Sequence, residues 1–249
     1  MKKIRHILMS ALILLLGLGQ ASADEIHVAV ASNFTDAIKD IARVFEEKTG
    51  HKVILVFGST GKHYAQIKNG APFEAFFAAD VRRPALLEEE GVAQPGSRFT
   101  YAIGKVVLWS PESALVDAQA NVLSKGGFRY LALANPKLAP YGKAAQQVMQ
   151  AKGVWETLRG RMVRGENIGQ TFQFVKSGNA ELGFVALSQI RKPGADIKGS
   201  FWQPPQSLYD PIEQQAVLLK DNTVARDFMD FVKGEAAREI IEGYGYGAP

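Results

Sequence analysis

Four short stretches of this sequence carry hydroxyl, amide or glycine residues where an apolar run gives way to a helical pattern: Ser32-Asn33, Ser59-Thr60-Gly61, Ala139-Pro140-Tyr141-Gly142 and Asn167-Ile168-Gly169. At the start of a helix the first backbone N–H groups have no intrahelical partner, and the summed peptide dipoles leave roughly half a positive charge there. Such a place attracts an anion without a lysine or arginine. Ser32, Asn33, Ser59 and Thr60 offer side-chain donors as well, and Gly61, Gly142 and Gly169 let backbone approach a ligand closely. Ordinary helix capping by Ser, Asn or Thr explains any one junction taken alone. Four junctions converging on one point make a pocket built of donors, and a cap that holds a loop also aims its N–H groups.

Such a pocket is selective. A charge-assisted hydrogen bond contributes about 1.5–3 kcal/mol. Roughly six or seven of them offset the desolvation of a compact dianion well enough for micromolar capture, which needs about 8 kcal/mol net. Phosphate near neutral pH keeps a proton that requires an acceptor, so a wall of donors rejects it. Sulfate satisfies the same donors and is the rival ligand; separating it from a larger tetrahedral oxyanion falls to pocket size.

Catalytic and metal chemistry find little support. The run Gly58-Ser59-Thr60-Gly61 is not a nucleophile elbow of the G-x-S-x-G kind. His27, His51 and His63 show no spacing suited to a metal or a triad, and each is expected at a surface or strand edge. Asp80, closing the run AFFAAD, reads as a turn or cap residue, and Tyr244 and Tyr246 read as packing or C-capping residues rather than ferric-iron ligands. The chain has no cysteine, which removes disulfides, thiolate catalysis and zinc–thiolate sites together. No catalytic residue, no direct metal-ion ligand and no cofactor is expected.

The elements that must position these junctions follow from periodicity. Short apolar runs alternate with helical patterns, the signature of an α/β architecture. IHVAVA (Ile26–Ala31), KVILVF, AFFAAD, YLALA (Tyr130–Ala134), LGFVAL and QQAVLL read as strands. Helices are expected through Phe34, Ile38, Ile41 and Phe45, through Tyr64 and Ile67, over KAAQQVMQAKG, through Phe172 and Val175, and over Val224–Glu242 with Phe228, Val232 and Ile240 facing inward. NPKLAPYG reads as a loop.

An internal duplication is visible. Residues 60–78 and 168–186 align without gaps at a constant offset of 108, with Gly61/Gly169, Lys68/Lys176, Gly70/Gly178, Phe76/Phe184 and Ala78/Ala186 identical. Two similar α/β lobes result, each a mixed sheet flanked by helices, with a ligand cleft between them. The stretch Tyr101–Trp109 carries the chain into the second lobe and the Pro-rich run beginning WQPPQSLYDP carries it back. The first lobe is then discontinuous, 24–103 plus 210–249, and the second spans 104–209.

Residues 1–23 read as an export signal: Lys2, Lys3 and Arg5, then an apolar run too short for a comfortable membrane span, then Ala21-Ser22-Ala23 before Asp24. An uncleaved anchor is the alternative; no cysteine follows to take a lipid. The signal takes three of the 29 basic residues and none of the 25 acidic ones, leaving a mature chain of net charge +1. That balance argues against a nucleic-acid face.

At the four junctions the sequence resembles the periplasmic molybdate-binding proteins of the type II solute-binding fold. The likeness covers nearly the whole mature chain and is most specific in VAVASNFTDAI, FGSTGKHYAQIKNGAPFEAFFAAD, FTYAIGKVVLWS, NPKLAPYG, NIGQ, LGFVALSQI and KGEAAREIIEGYGY. It implies capture of a dehydrated oxyanion, molybdate or tungstate, by hydroxyls and backbone N–H groups, in a monomer that delivers the ligand to the membrane permease of an ABC importer. Carried over by position, the ligand contacts fall on Ser32 and Asn33, on Thr60 with Ser59 adjacent, and on the backbone of Tyr141 and Ile168. Many members have a tyrosine where this chain has Ala186, and the hydroxyl of Tyr141 is the expected substitute from the opposite wall. That departure leaves molybdate and tungstate both open.

Overall fold

The β-branched and aromatic runs become strands and the helical-period segments pack between them. The computed structural model describes residues 24–249, so the export-signal reading of residues 1–23 falls outside the described residues. One sheet has the order β2-β1-β3-β10-β4, with β1 Glu25–Ala31, β2 Lys52–Gly58, β3 Ala75–Phe77, β4 Phe99–Gly104 and β10 Ile212–Leu218. The other has the order β7-β6-β8-β5-β9, with β5 Val106–Ser110, β6 Leu131–Ala134, β7 Met162–Gly165, β8 Leu182–Ala186 and β9 Ser200–Trp202.

The two orders are the same topology used twice. In each sheet the first three strands run parallel and the next pairs antiparallel to them. This is the two-lobed type II fold, and the segments whose sequences align at the offset of 108 follow the matched strands β2/β7 and contain the matched strands β3/β8. The chain passes from the first sheet to the second between Gly104 and Val106, and returns between Trp202 and Ile212.

Each lobe has its own core. Phe34, Ile38, Phe45, Phe77 and Phe228 are fully buried in the first, and Leu108, Leu133, Tyr141, Met149 and Phe184 in the second. Each such side chain contributes roughly 1.5–3 kcal/mol by leaving water. The cores hold the parallel strands rigid, and their carboxyl ends are where the strand–helix turns gather.

Five expectations need correction. The expected helix over Val224–Glu242 is two helices, Thr223–Lys233 and Glu235–Gly243, because Gly234 leaves the helical region at ψ 166°. The break shifts the helical phase, so Ile241 rather than Ile240 takes the buried position. The loop reading of NPKLAPYG ends early: Pro140 opens the helix Pro140–Ala151, its fixed φ suiting a first turn that has no use for its missing N–H. The strand in AFFAAD stops at Phe77 and the one in YLALA begins at Leu131, leaving Tyr130 exposed. His63 is not at a surface or edge. It is 2% exposed, with Nε2 3.2 Å from the Val30 carbonyl and Nδ1 3.1 Å from Gln66 Oε1. Burial holds its pKa below the ordinary value.

Candidate oxyanion site

Each of the four junctions places a helix start at the carboxyl edge of a sheet. Ser32-Asn33-Phe34 form a single 3-10 turn leading into the helix Thr35–Thr49. Ser59 caps the helix Thr60–Lys68 by accepting from Lys62 N–H at 3.3 Å, and Asn167 caps Ile168–Lys176 by accepting from Gln170 N–H at 2.9 Å. The helices beginning at Thr60, Pro140 and Ile168 have no acidic residue in their first turn, so nothing there cancels the positive end of the dipole. Asp36 does lie in the first turn of the remaining helix, where it ion-pairs with Lys192.

The junctions converge. Ser32, Asn33, Ser59, Thr60, Tyr141 and Ile168 all line one small pocket between the lobes, with a volume of only about 10 Å³. Its other walls are Ala31, Gly58, Ala79, Ala139 and Pro140, so the lining contains no carboxylate, lysine, arginine or histidine. The six candidates are between 1% and 8% exposed. Thr60 is the first residue of its helix, as Ile168 is of its own, and Tyr141 is the second after Pro140. Their N–H groups therefore have no intrahelical acceptor. Such a space, about that of one water molecule, leaves no room for a hydration shell around an anion held by neutral donors.

Donor chemistry differs among the hydroxyls. Thr60 Oγ1 accepts from Ala79 N–H at 3.0 Å, which leaves its own proton to donate. Ser59 Oγ likewise acts as acceptor in its cap, with its proton unspent. Ser32 bridges the lobes: its hydroxyl donates to Asn167 Oδ1 at 3.1 Å and accepts from Gly169 N–H at 3.1 Å.

Three site expectations change. The Asn33 side chain is not a donor to the cavity. Its Nδ2 donates to Gln214 Oε1 at 2.6 Å and Tyr246 Oη at 3.1 Å, and only the backbone N–H of Asn33 stays available. Nor does the Tyr141 hydroxyl replace the one missing at Ala186. The Tyr141 ring runs into the lobe crossing, where its Oη abuts Gly104 beside Gln214, neither of which lines the cavity. Burial raises the Tyr141 hydroxyl well above its ordinary pKa, so it stays neutral. The glycines at the junctions serve backbone packing rather than ligand approach. Gly142 lies against the Ala134 carbonyl, Gly61 against Leu138, and Gly169 against Ser32.

Several supporting residues went unnoticed in the sequence. Ser188 Oγ donates to the Asn33 carbonyl at 2.9 Å and Tyr246 Oη donates to the same oxygen at 2.8 Å. Gln189 Nε2 donates to the Ile168 carbonyl at 3.0 Å. These contacts hold the two loops from behind, and no local pattern marks them, since their partners are distant in the chain. The rim is closed by polar contacts across the cleft: Gly61 N–H to the Leu138 carbonyl at 2.9 Å, Lys62 Nζ to Glu166 Oε2 at 3.2 Å, and Arg83 Nη2 to the Lys137 carbonyl at 3.2 Å. Asp80 holds the turn into the helix Arg82–Glu89, accepting from Arg83 N–H at 2.9 Å, in keeping with the expected turn or cap role. Among the described residues no group of three or more His, Asp or Glu could hold a metal ion.

Comparison with known proteins identifies the family. A family model described as bacterial extracellular solute-binding protein matches residues 26–247. The chain is 53% identical to the molybdate-binding protein ModA of Azotobacter vinelandii, over 96% of this chain and 98% of that one. It is 51% identical to ModA of Rhodobacter capsulatus, over 95% and 94% of the two chains. The solved structure of the Azotobacter vinelandii periplasmic molybdate-binding protein is similar with a TM-score of 0.88 at 46% identity, covering 90% of this chain and 99% of that one.

Proposed function

The chain belongs to the bacterial extracellular solute-binding proteins, and from that premise we propose that it captures molybdate between its lobes in the periplasm and delivers it to the membrane permease of an ABC importer. It is a binding protein and not an enzyme. The observation that carries the ligand is the cavity itself, which collects helix starts from both lobes and has no charged side chain in its lining. A dianion there meets only donors, and the two relatives that share about half its residues bear the name of molybdate-binding proteins.

The contacts are assigned to the hydroxyls of Ser59 and Thr60, to the hydroxyl of Ser32 once it gives up its bond to Asn167, and to the backbone N–H groups of Asn33, Thr60, Tyr141 and Ile168. Three features support the assignment: the unspent protons of Ser59 and Thr60, the unpaired first-turn amides, and the burial of all six residues. Each lobe supplies part of the set, so binding and lobe closure are one event, which is what a permease needs in order to distinguish loaded protein from unloaded. Tungstate has the same shape and charge and is an expected second ligand. The lobes are assigned as 24–103 with 210–249, and 104–209, in a monomer.

Calorimetric titration of the mature protein with molybdate, tungstate, sulfate and phosphate tests this reading. Molybdate and tungstate should bind tightly, sulfate weakly and phosphate not at all. A preference for sulfate would overturn the ligand while leaving the fold intact.

A further inference from the structure

Two buried side-chain polar atoms among the described residues have no hydrogen-bond partner, and they face the same spot: Tyr141 Oη and Gln214 Nε2. A Cβ placed on Gly104 would collide with Tyr141 Oη and lie 3.0 Å from Gln214 Nε2. Gly104 ends β4 and Gln214 lies in β10, the adjoining strands through which the chain leaves and re-enters the first lobe. The pairing of these strands shifts register between Gln214 and Gln215, so the ladder is irregular where the amide sits.

The orientation of the Gln214 amide is set by its oxygen. Oε1 accepts from Asn33 Nδ2 at 2.6 Å and from Tyr101 Oη at 3.3 Å, both in the first lobe. The NH₂ end must therefore point away from those donors, toward the tyrosine that enters from the second lobe. A buried amide with one end satisfied and the other turned toward a buried, neutral hydroxyl is a hydrogen bond awaiting a small relative movement of its two supports.

We infer that Gln214 is a positioning residue for the binding site, coupling Asn33 in one lobe to Tyr141 in the other so that their backbone N–H groups reach the cavity together when Nε2 donates to Tyr141 Oη. The inference rests on the oxyanion reading above. Asn33 and Tyr141 stand 108 residues apart and belong to different lobes. Gln214 touches neither the cavity nor a ligand within it, yet its two ends address a residue from each wall. The lobes already meet across the cleft in this structure, so a local adjustment of the two side chains is enough for Nε2 to donate to Oη, and that bond satisfies both orphaned atoms.

The test is a double-mutant cycle on Gln214→Met and Tyr141→Phe, read by molybdate calorimetry. Each substitution keeps the bulk of its side chain. Gln214→Met should weaken molybdate binding on the order of tenfold or more, Tyr141→Phe should weaken it several-fold, and the double variant should be no weaker than Gln214→Met alone. Amide NMR supplies a readout that general destabilisation does not move: ligand-induced shifts of the Asn33 and Tyr141 N–H signals should shrink together in Gln214→Met. Additive effects, or Tyr141→Phe binding as tightly as the native protein, would overturn the coupling. Where Gln214→Met does not fold, Tyr141→Phe with the same NMR readout decides. Native protein that ignores molybdate altogether would instead sink the oxyanion reading, so the two failures are distinguishable.

Discussion

Gly61 and Gly169 hold equivalent positions in the two halves of the molecule, and each donates its N–H across the cleft to the other half, Gly61 to the Leu138 carbonyl at 2.9 Å and Gly169 to Ser32 Oγ at 3.1 Å. Each is the second residue of its helix, one place after the N–H assigned to the ligand. Neighbouring amides on one helix start thus divide the work: the second fastens the opposite lobe, and the first is the one proposed for the ligand.

Gly61→Ala and Gly169→Ala should separate closure from folding. A Cβ at Gly61 would lie 3.1 Å from the Leu138 carbonyl oxygen, and one at Gly169 would lie 3.2 Å from Ser32 Cβ. Those two contacts exist only when the lobes meet; within each lobe the added Cβ meets the flexible end of Arg83 at 3.0 Å or the Asn167 amide oxygen at 3.1 Å. Alanine is the better helix former, which offsets these intralobe contacts, so the ligand-free melting temperature should stay roughly level. Molybdate affinity should fall roughly tenfold, as expected for about 1.4 kcal/mol of steric cost. Calorimetry beside thermal denaturation checks it; equal losses in both would remove the distinction.

Thr60→Val should harm both properties. The hydroxyl accepts from Ala79 N–H at 3.0 Å within the first lobe and keeps its proton for the anion. Valine orphans a buried N–H and removes a ligand donor, each costing about 1–3 kcal/mol. Thr60→Ser retains both functions and should bind nearly as the native protein does. A Thr60→Val protein with unchanged affinity refutes the hydroxyl's assignment.

The rim ion pair should matter little. Lys62 and Glu166 lie 3.2 Å apart with side chains 55% and 63% exposed. Exposed pairs contribute about 0–1 kcal/mol and are screened by salt. Glu166→Gln should shift molybdate affinity by less than about 1 kcal/mol, and the native affinity should depend only weakly on ionic strength. Steep salt dependence would mean that capture relies on charge the cavity does not contain.

His63 sets a pH limb of stability. Burial lowers its pKa from 6.5, so the folded protein keeps it neutral after the unfolded chain has begun to protonate. The unfolded state then binds more protons, and stability falls as pH drops from about 6.5 toward the folded-state pKa. It is fully present above that window. Thermal denaturation between pH 8 and 5 should show a declining melting temperature on the acid side, flattened in His63→Gln. An unchanged slope in that variant would place the limb on other groups.

Much of this protein was legible before any coordinates. Strand and helix periodicity, the offset of 108 and the hydroxyl and glycine junctions depend on neighbours a few residues away, and they led to two lobes of one topology with six residues around a common point. The capping roles of Ser59 and Asn167 are local for the same reason, since each bond spans three residues.

Tertiary structure decided where side chains point once several partners compete. Asn33 reads as a donor to the ligand until Gln214 and Tyr246, 181 and 213 positions away, take its amide. Tyr141 offers a hydroxyl on paper, and packing sends it to the lobe crossing beside Gly104. His63 is buried because Gly58 leaves room for its ring. A residue's type and spacing determine what it can donate or accept; which partner it meets is set by distant segments that share its core, and no window of sequence contains them.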